Sequence, residues 1–297
     1  TQPHNIVDYV CTECGYSRYT VAQNLAYTLS EDGTYYSVTG IGTETNTRII
    51  IPSVHNGLPV KTVTSLSMSK TIEEVVFSRG IETIGTVAFK GCTSLVSVII
   101  ADNSVVSIGE SSFSGCSRLT SVFIGNSVTI ISDSAFRDCT SLTSVVIPDS
   151  VTTIGNYVFN GCTSLTSVTI GNSVTTIGSQ AFNGCTSLTS VTIGNSVTSI
   201  DSNAFRGCTS LTSVTIPDSV TSIGQYAFYG CTSLTSVIIG NSVTSIGQDV
   251  FYDCKSLTSI VIPDSVTSIG SQAFSNCSSL REVYYTGSEE QWNAITN

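Results

Sequence analysis

Leu165-Thr-Ser-Val168-Thr-Ile170-Gly-Asn-Ser-Val174-Thr-Thr-Ile177-Gly-Ser-Gln-Ala181-Phe182-Asn-Gly-Cys185-Thr-Ser187 is one period of a pattern that fills two-thirds of the chain. The same phenylalanine returns as Phe89, Phe113, Phe136, Phe159, Phe182, Phe205, Phe228, Phe251 and Phe274. Three residues later stand Cys92, Cys116, Cys139, Cys162, Cys185, Cys208, Cys231, Cys254 and Cys277. The spacing is 23 residues, with one step of 24. A unit this short cannot bury its apolar face alone, so a fixed period of this size means stacked coils sharing one core.

Within a unit, Leu165, Val168 and Ile170 follow L-x-x-V-x-I. The alternation at its end predicts a strand with Val168 and Ile170 inward and Ser167 and Thr169 outward. Gly-Asn-Ser or Pro-Asp-Ser then makes a turn, and Pro148, Pro217 and Pro263 end their strands because proline cannot donate to a ladder. Val174 and Ile177 form a second inward edge, and Ala181-Phe182 is expected to close the coil through a short helical turn. The residue before each Cys is Gly91, Gly115, Asp138, Gly161, Gly184, Gly207, Gly230, Asp253 or Asn276. Only the three residue types that best tolerate a left-handed backbone occur there, so a cap with positive φ is expected in every coil. The glycine after the second Ile is replaced by Ser132 and Asp201, so positive φ is not expected at that column.

The Cys column reads as reduced, buried thiols acting as small hydrophobes. Neighbouring coils about 4.8 Å apart would also allow disulfides. The turn column Asn126, Asp149, Asn172, Asn195, Asp218, Asn241, Asp264 never puts two carboxylates on adjacent coils, which reads as a stabilising ladder. A calcium ladder would want them clustered.

The fold class expected is thus a leucine-rich-repeat type solenoid: mainly β, a parallel sheet with one strand per coil, short helical or 3-10 turns, a hairpin cap at the start and a short helix cap at the end. Four segments follow. Residues 1–24 hold a Cys-x-x-Cys segment. Residues 25–71 form an N-terminal hairpin, signalled by Asp32-Gly33 between alternating runs, and a degenerate first coil. Residues 72–279 are nine coils. Residues 280–297 are a strand–helix cap, in which Ser288-Glu-Glu-Gln291 matches a capping box and Trp292 and Ile295 are expected to lie over the final Phe column.

The 297 residues carry 11 Lys and Arg against 21 Asp and Glu, a net charge of −10. Without a basic stripe the chain is a poor candidate for nucleic acid or anionic lipid. No apolar run approaches the ~20 residues of a spanning helix, so no membrane insertion is expected of this stretch. The opening Thr1-Gln-Pro-His4-Asn reads as a mature or trimmed start.

The unit from Cys208 to Gly230, C-T-S-L-T-S-V-T-I-P-D-S-V-T-S-I-G-x-x-A-F-x-G, resembles the BspA-like leucine-rich repeats of bacterial surface proteins, over residues 49 to 285. The resemblance implies a curved parallel sheet on one side of the coil and short second strands or 3-10 turns on the other. It also implies export, attachment to the cell surface and binding of host or neighbouring-cell proteins; the module is read as cell-surface or secreted, and its expected partner is a protein or glycan docked along the outward sheet.

The outward columns of the strand are the expected binding surface. One is Ser-rich. The other runs Val76, Ile99, Phe123, Val146, Thr169, Thr192, Thr215, Ile238, Val261, Tyr284. Its apolar members Ile99, Phe123, Val146, Ile238, Val261 and Tyr284 are the candidate ligand-binding residues, since contiguous exposed apolar side chains mark interaction sites. The alternative is that β-branched residues merely favour strands. At the start, His4, Cys11 and Cys14 have the spacing of a zinc half-site; a Cys11–Cys14 disulfide and free thiols are the other readings. No other cofactor is called for. No catalytic constellation is visible, so the expected function is non-enzymatic, adhesin-like recognition by a monomer. The alternative is a structural spacer or self-associating module, and an enzyme with carboxylates on different coils ranks behind both.

Overall fold

The computed structural model describes residues 19–296, together with the backbone of Ile6–Val7 and Val10–Cys11. It is a β-solenoid with two strand layers. In a representative coil Ser167–Ile170 forms the first strand, with Ser167 and Thr169 exposed and Val168 and Ile170 buried. Thr176–Ile177 forms the second strand. Both layers are parallel and in strict register, Ser144 on Ser167 on Ser190 in one and Thr153 on Thr176 on Ser199 in the other.

The two-residue strands, rather than the longer ones, make the continuous sheet. It runs from Ser268–Ile269 back to Thr83–Ile84 and on through Leu58–Val63 and Tyr36–Gly40 to Ala26–Leu29. The layer of longer strands divides at two seams, after Ser121–Ile124 and after Ser190–Thr192. The bonds leading into those strands are stretched at the same places. Thr143 N–H to Thr120 and Thr212 N–H to Thr189 are both 3.3 Å, against 2.8 Å for Thr166 to Thr143 and 2.9 Å for Thr189 to Thr166.

The core is one column per inward position. The Phe rings from Phe89 to Phe274 stack at centroid distances of 5.2 to 5.6 Å with planes within 11°. That slipped parallel geometry suits the ring quadrupole. Phe89 to Phe251 are fully buried and Phe274 is half-buried. All nine Cys of the column are free. Each is also a hydrogen-bond donor: Cys185 Sγ–H to the carbonyl of Phe159, 3.2 Å, and Cys208 to that of Phe182, 3.3 Å, with the same bond repeated along the stack. Burial pushes the Cys185 and Cys231 thiols up to about 12 and Cys92 to about 11, with Cys139, Cys162 and Cys208 well above the usual thiol range.

The closing segment is not a helical turn. Alternate amides leave for the next coil (Phe159 N–H to Ala181, Gly161 N–H to Asn183) while those between them close tight turns (Asn160 N–H to Tyr157, Cys162 N–H to Phe159). Splitting the donors this way prevents a helix and requires two left-handed residues per coil. One is the expected column before Cys, from Gly91 at φ 69° to Asn276 at φ 62°. The other is Val87, Ser111, Ser134, Tyr157, Gln180, Asn203, Tyr226, Asp249 and Gln272, all with φ between 52° and 59°. The glycines after the second Ile have ordinary φ, as Ser132 and Asp201 foretell.

At the start, Ala26–Leu29 and Tyr36–Gly40 pair antiparallel as a hairpin, and Tyr36–Gly40 continues in parallel onto Leu58–Val63. Thr20–Val21 pairs with Arg48–Ile51. The buried Glu44 carboxylate fastens the segment between them, accepting from the amides of Gln23 at 2.9 Å and Asn24 at 3.3 Å. At the finish, Ser288 caps Glu289–Asn293 with a full capping box. Trp292 does not lie over the Phe column. Strand register puts Tyr285 on Ile262, and Trp292 rests on Tyr285, centroids 5.4 Å apart. The chain then returns to the other layer, where Thr296 N–H bonds Thr267.

Candidate recognition surface

The outward column beside the core is aligned residue on residue. Ile50, Val76, Ile99 and Phe123 are in register, as are Val146, Thr169 and Thr192, and then Thr215, Ile238, Val261 and Tyr284. The structure divides it into zones. Tyr19 closes over the first zone, leaving Ile50 and Val76 buried and Ile99 half-buried against them. Ile99 is therefore removed from the expected exposed strip, because an aromatic from the chain's own N-terminal segment already occupies that place. Phe123 (45% exposed) and Val146 (63%) form a second zone at the first seam. Ile238, Val261 and Tyr284 form a third, all exposed. Nothing in the sequence near Tyr19 marks it as a cover; its partners Ile50, Val76 and Ile99 are all distant in the chain.

Between the apolar zones lie Thr169, Thr192 and Thr215. Threonines just before the strands use their hydroxyls structurally: Thr166 Oγ1–H donates to the carbonyl of Thr143 at 2.9 Å and Thr189 to that of Thr166 at 3.0 Å, Thr198 donates to that of Thr175 and Thr221 to that of Thr198. The hydroxyls of Thr169, Thr192 and Thr215 make no hydrogen bond within the described residues. At the strand ends beside Thr169 and Thr192 is a groove of ≈ 350 Å³. Its floor is Gly171 and Gly194, adjacent members of a column where the flanking coils have Pro148 and Pro217. That pair of glycines is the signal in the sequence that could have pointed to the groove. A Cβ on Gly194 would meet the Gly171 carbonyl at 2.2 Å, so the close approach of these two coils requires glycine there. Along its rim Asp149 accepts from the Asn172 amide at 2.6 Å, and Asn172 Oδ1 accepts from the Asn195 amide at 3.2 Å. In the Asn/Asp column Asp149, Asn172 and Asp218 thus each hold the next coil's backbone amide.

The remaining candidates are placed as follows. His4 and Cys14 lie outside the described residues; Cys11 pairs through its backbone with Ile6. His55 stacks on Tyr27 at 3.8 Å and meets Tyr36 edge-on, packing within the hairpin end. Among the described residues no three His, Cys, Asp or Glu side chains are grouped so as to hold a metal ion, and no helix is long and apolar enough to cross a membrane.

A family profile described as BspA type Leucine rich repeat region matches residues 64–189 and 175–294. A leucine-rich repeat protein of T. pallidum is 32% identical, covering 73% of this chain and 91% of that one, with a TM-score of 0.56. A leucine-rich repeat protein of Bacteroides ovatus ATCC 8483 shares the fold at 24% identity, covering 89% and 88% of the two chains with a TM-score of 0.58. A leucine rich cell surface protein of Faecalibacterium prausnitzii A2-165 is 29% identical over 93% of this chain and 97% of its own, at a TM-score of 0.47. No curated protein matches the sequence.

Proposed function

The chain belongs to the BspA-type leucine-rich repeat family, and from that premise we propose that it is a non-enzymatic recognition module, displayed at the cell surface or secreted, that grips a host or neighbouring-cell protein or glycan along the outward column. The observation that carries this reading is the break in that column's pattern. Thr fills it at mid-array, yet Phe123 and Val146 stand in water at the first seam and Ile238, Val261 and Tyr284 near the end. A strand needs β-branched residues there but not an exposed Phe, and exposed aromatic and aliphatic groups in register are what a partner's desolvated anchor requires. The uniform Ser column beside it favours the second reading, a spacer with no ligand, in which all outward side chains are interchangeable.

The test is retention of the purified protein on immobilised host matrix and mucus, with Phe123→Ser/Val146→Ser and Ile238→Ser/Tyr284→Ser as variants. Recognition predicts that at least one pair abolishes retention with the fold intact by circular dichroism. Equal retention of all three proteins overturns it in favour of the spacer.

A further inference from the structure

We propose that Pro148, Pro217 and Pro263 are wedges that divide the array into blocks, so that it bends at three set joints rather than evenly along its length. In the seven regular coils from Gly125 to Pro263, the residue that ends the longer strand is Gly in four and Pro in three. Ala101, which opens the turn with the extra residue, and Thr286, which opens the cap, fall outside this set. The state of each joint shows at the threonine just before the strand, whose amide and hydroxyl both donate to a carbonyl one coil back. Into the glycine coils these two bonds are short: 2.9 and 3.1 Å at Thr120, 2.8 and 2.9 Å at Thr166, 2.9 and 3.0 Å at both Thr189 and Thr235. Into the proline coils both are 3.3 Å at Thr143 and again at Thr212, and at Thr258 neither is made. Strand pairing divides in the same way. Residues 121–124 and 190–192 do not pair with the proline strand that follows, and 236–238 pairs with 259–262 at Ile238 and Val261 alone. The inward isoleucine on the near side of each such joint is also the least buried of its column. Ile124, Ile193 and Ile239 are 5%, 7% and 6% exposed, against at most 2% for Ile100, Ile147, Ile170, Ile216 and Ile262.

Proline acts twice at this position. It lacks the N–H that would bond the preceding coil; Thr286, in the equivalent place one coil beyond Pro263, makes that bond, its amide donating to the Ile262 carbonyl at 3.1 Å. It also sets a ring where regular coils approach most closely. A Cβ on Gly125 would lie 2.6 Å from the Ala101 carbonyl oxygen and one on Gly171 2.5 Å from that of Pro148, far inside van der Waals contact. A regular coil that carries proline there must stand off from the one before it. The other two sides of the coil hold. Across the same three joints the closing turns keep their amide bonds, Phe136 to Val158 at 2.9 Å and Phe205 to Ala227 and Phe251 to Ala273 at 2.8 Å. The second layer keeps 2.9 Å at Thr152, Thr221 and Thr267. Each joint is therefore slack beside the outward column and firm elsewhere, which is the geometry of a hinge. Phe123 and Val146 stand on either side of the first joint, and Ile238 and Val261 on either side of the third. Bending changes the spacing within these exposed apolar pairs and leaves that of Thr169 and Thr192, paired inside one block, fixed.

The experiment is amide hydrogen exchange of the full chain, read residue by residue by NMR. Thr120, Thr143, Thr166, Thr189, Thr212, Thr235 and Thr258 all stand in the context Leu-Thr-Ser, so their intrinsic exchange is the same and any difference reports opening of the joint. Exchange should be about tenfold faster at Thr143, Thr212 and Thr258 than at the other four, since two hydrogen bonds are weakened or lost at each. Thr235 should stay slow between Thr212 and Thr258, an alternation that fraying from the ends does not produce. Pro148→Gly restores the N–H, removes the ring and matches the commoner residue of the column. It should slow Thr143 to the rate of Thr166 while Thr212 and Thr258 stay fast. Equal rates at all seven threonines, a smooth rise toward the ends, or an unchanged Thr143 in Pro148→Gly would each overturn the wedges. No ligand enters this readout, so exchange at the joints and retention on host matrix succeed or fail independently.

Discussion

Carrying the protein from pH 7 to pH 11 in the presence of reductant tests the thiol column directly. Eight of its cysteines, Cys92 to Cys254, are buried, each Sγ–H donating to a carbonyl of the preceding coil. In the unfolded chain a thiol ionises near its ordinary value of about 8.5; in the fold burial holds Cys185 and Cys231 protonated to about 12. The folded values are the raised ones. Their contribution is therefore fully present below about pH 8.5 and is lost as pH climbs toward the folded values, because the unfolded chain then binds fewer protons than the native one. At pH 9.5 each thiol costs about 1.4 kcal/mol, and eight in parallel about 11 kcal/mol, comparable with the whole stability of a typical domain. Circular dichroism with urea titration at each pH should show cooperative unfolding before about pH 10. Cys208→Ser supplies the control: serine can still donate to Phe182 but does not ionise, so its stability loss from neutral pH to pH 9.5 should be about 1.4 kcal/mol smaller than wild type. Equal losses in both proteins, or a wild type still folded at pH 11, would refute the linkage.

Phe159→Ala, at the middle of the ring stack, should cost about 3–5 kcal/mol through lost burial and an interior cavity; Phe274→Ala, half-buried with a ring on one side only, should cost about half that in the same urea assay. Gly184→Ala, at φ 73° with an open surrounding, should lose about 1–2 kcal/mol for backbone conformation alone, and Gly184→Asn most of a unit less. Tyr19→Ala should uncover Ile50 and Val76, lowering stability by about 1–3 kcal/mol and raising binding of a hydrophobic dye. Thr189→Val, which removes one rung to Thr166 on an exposed edge, should cost about 0.5–1.5 kcal/mol by thermal unfolding.

The stacking itself was written in the spacing of Phe and Cys, and the left-handed residue before each Cys was readable because only Gly, Asp and Asn occur there. The second left-handed column was not, since Val87, Tyr157 and Gln180 disguise it. Their φ is imposed by amides that bond the next coil, a constraint no local propensity records. The exposed strip was half legible. Alternation placed Phe123 and Val146 outside correctly, but Tyr19 on Val76 and Ile99 is a contact between distant segments. Trp292 was misplaced for a related reason: the helix start was signalled by Ser288 and Gln291, while its direction depends on where Tyr285 lands.

From Phe89 to Phe251 each coil meets its neighbour through the same ring stack, thiol donor and threonine rungs. Most coils can therefore stand next to one another, except where two turn carboxylates would be brought side by side. Gain or loss of one repeat's codons leaves every remaining joint unchanged and both ends intact, so unequal recombination can lengthen or shorten the rod in whole steps. The length of the rod can thus change in whole coils while the chemistry of its joints stays the same.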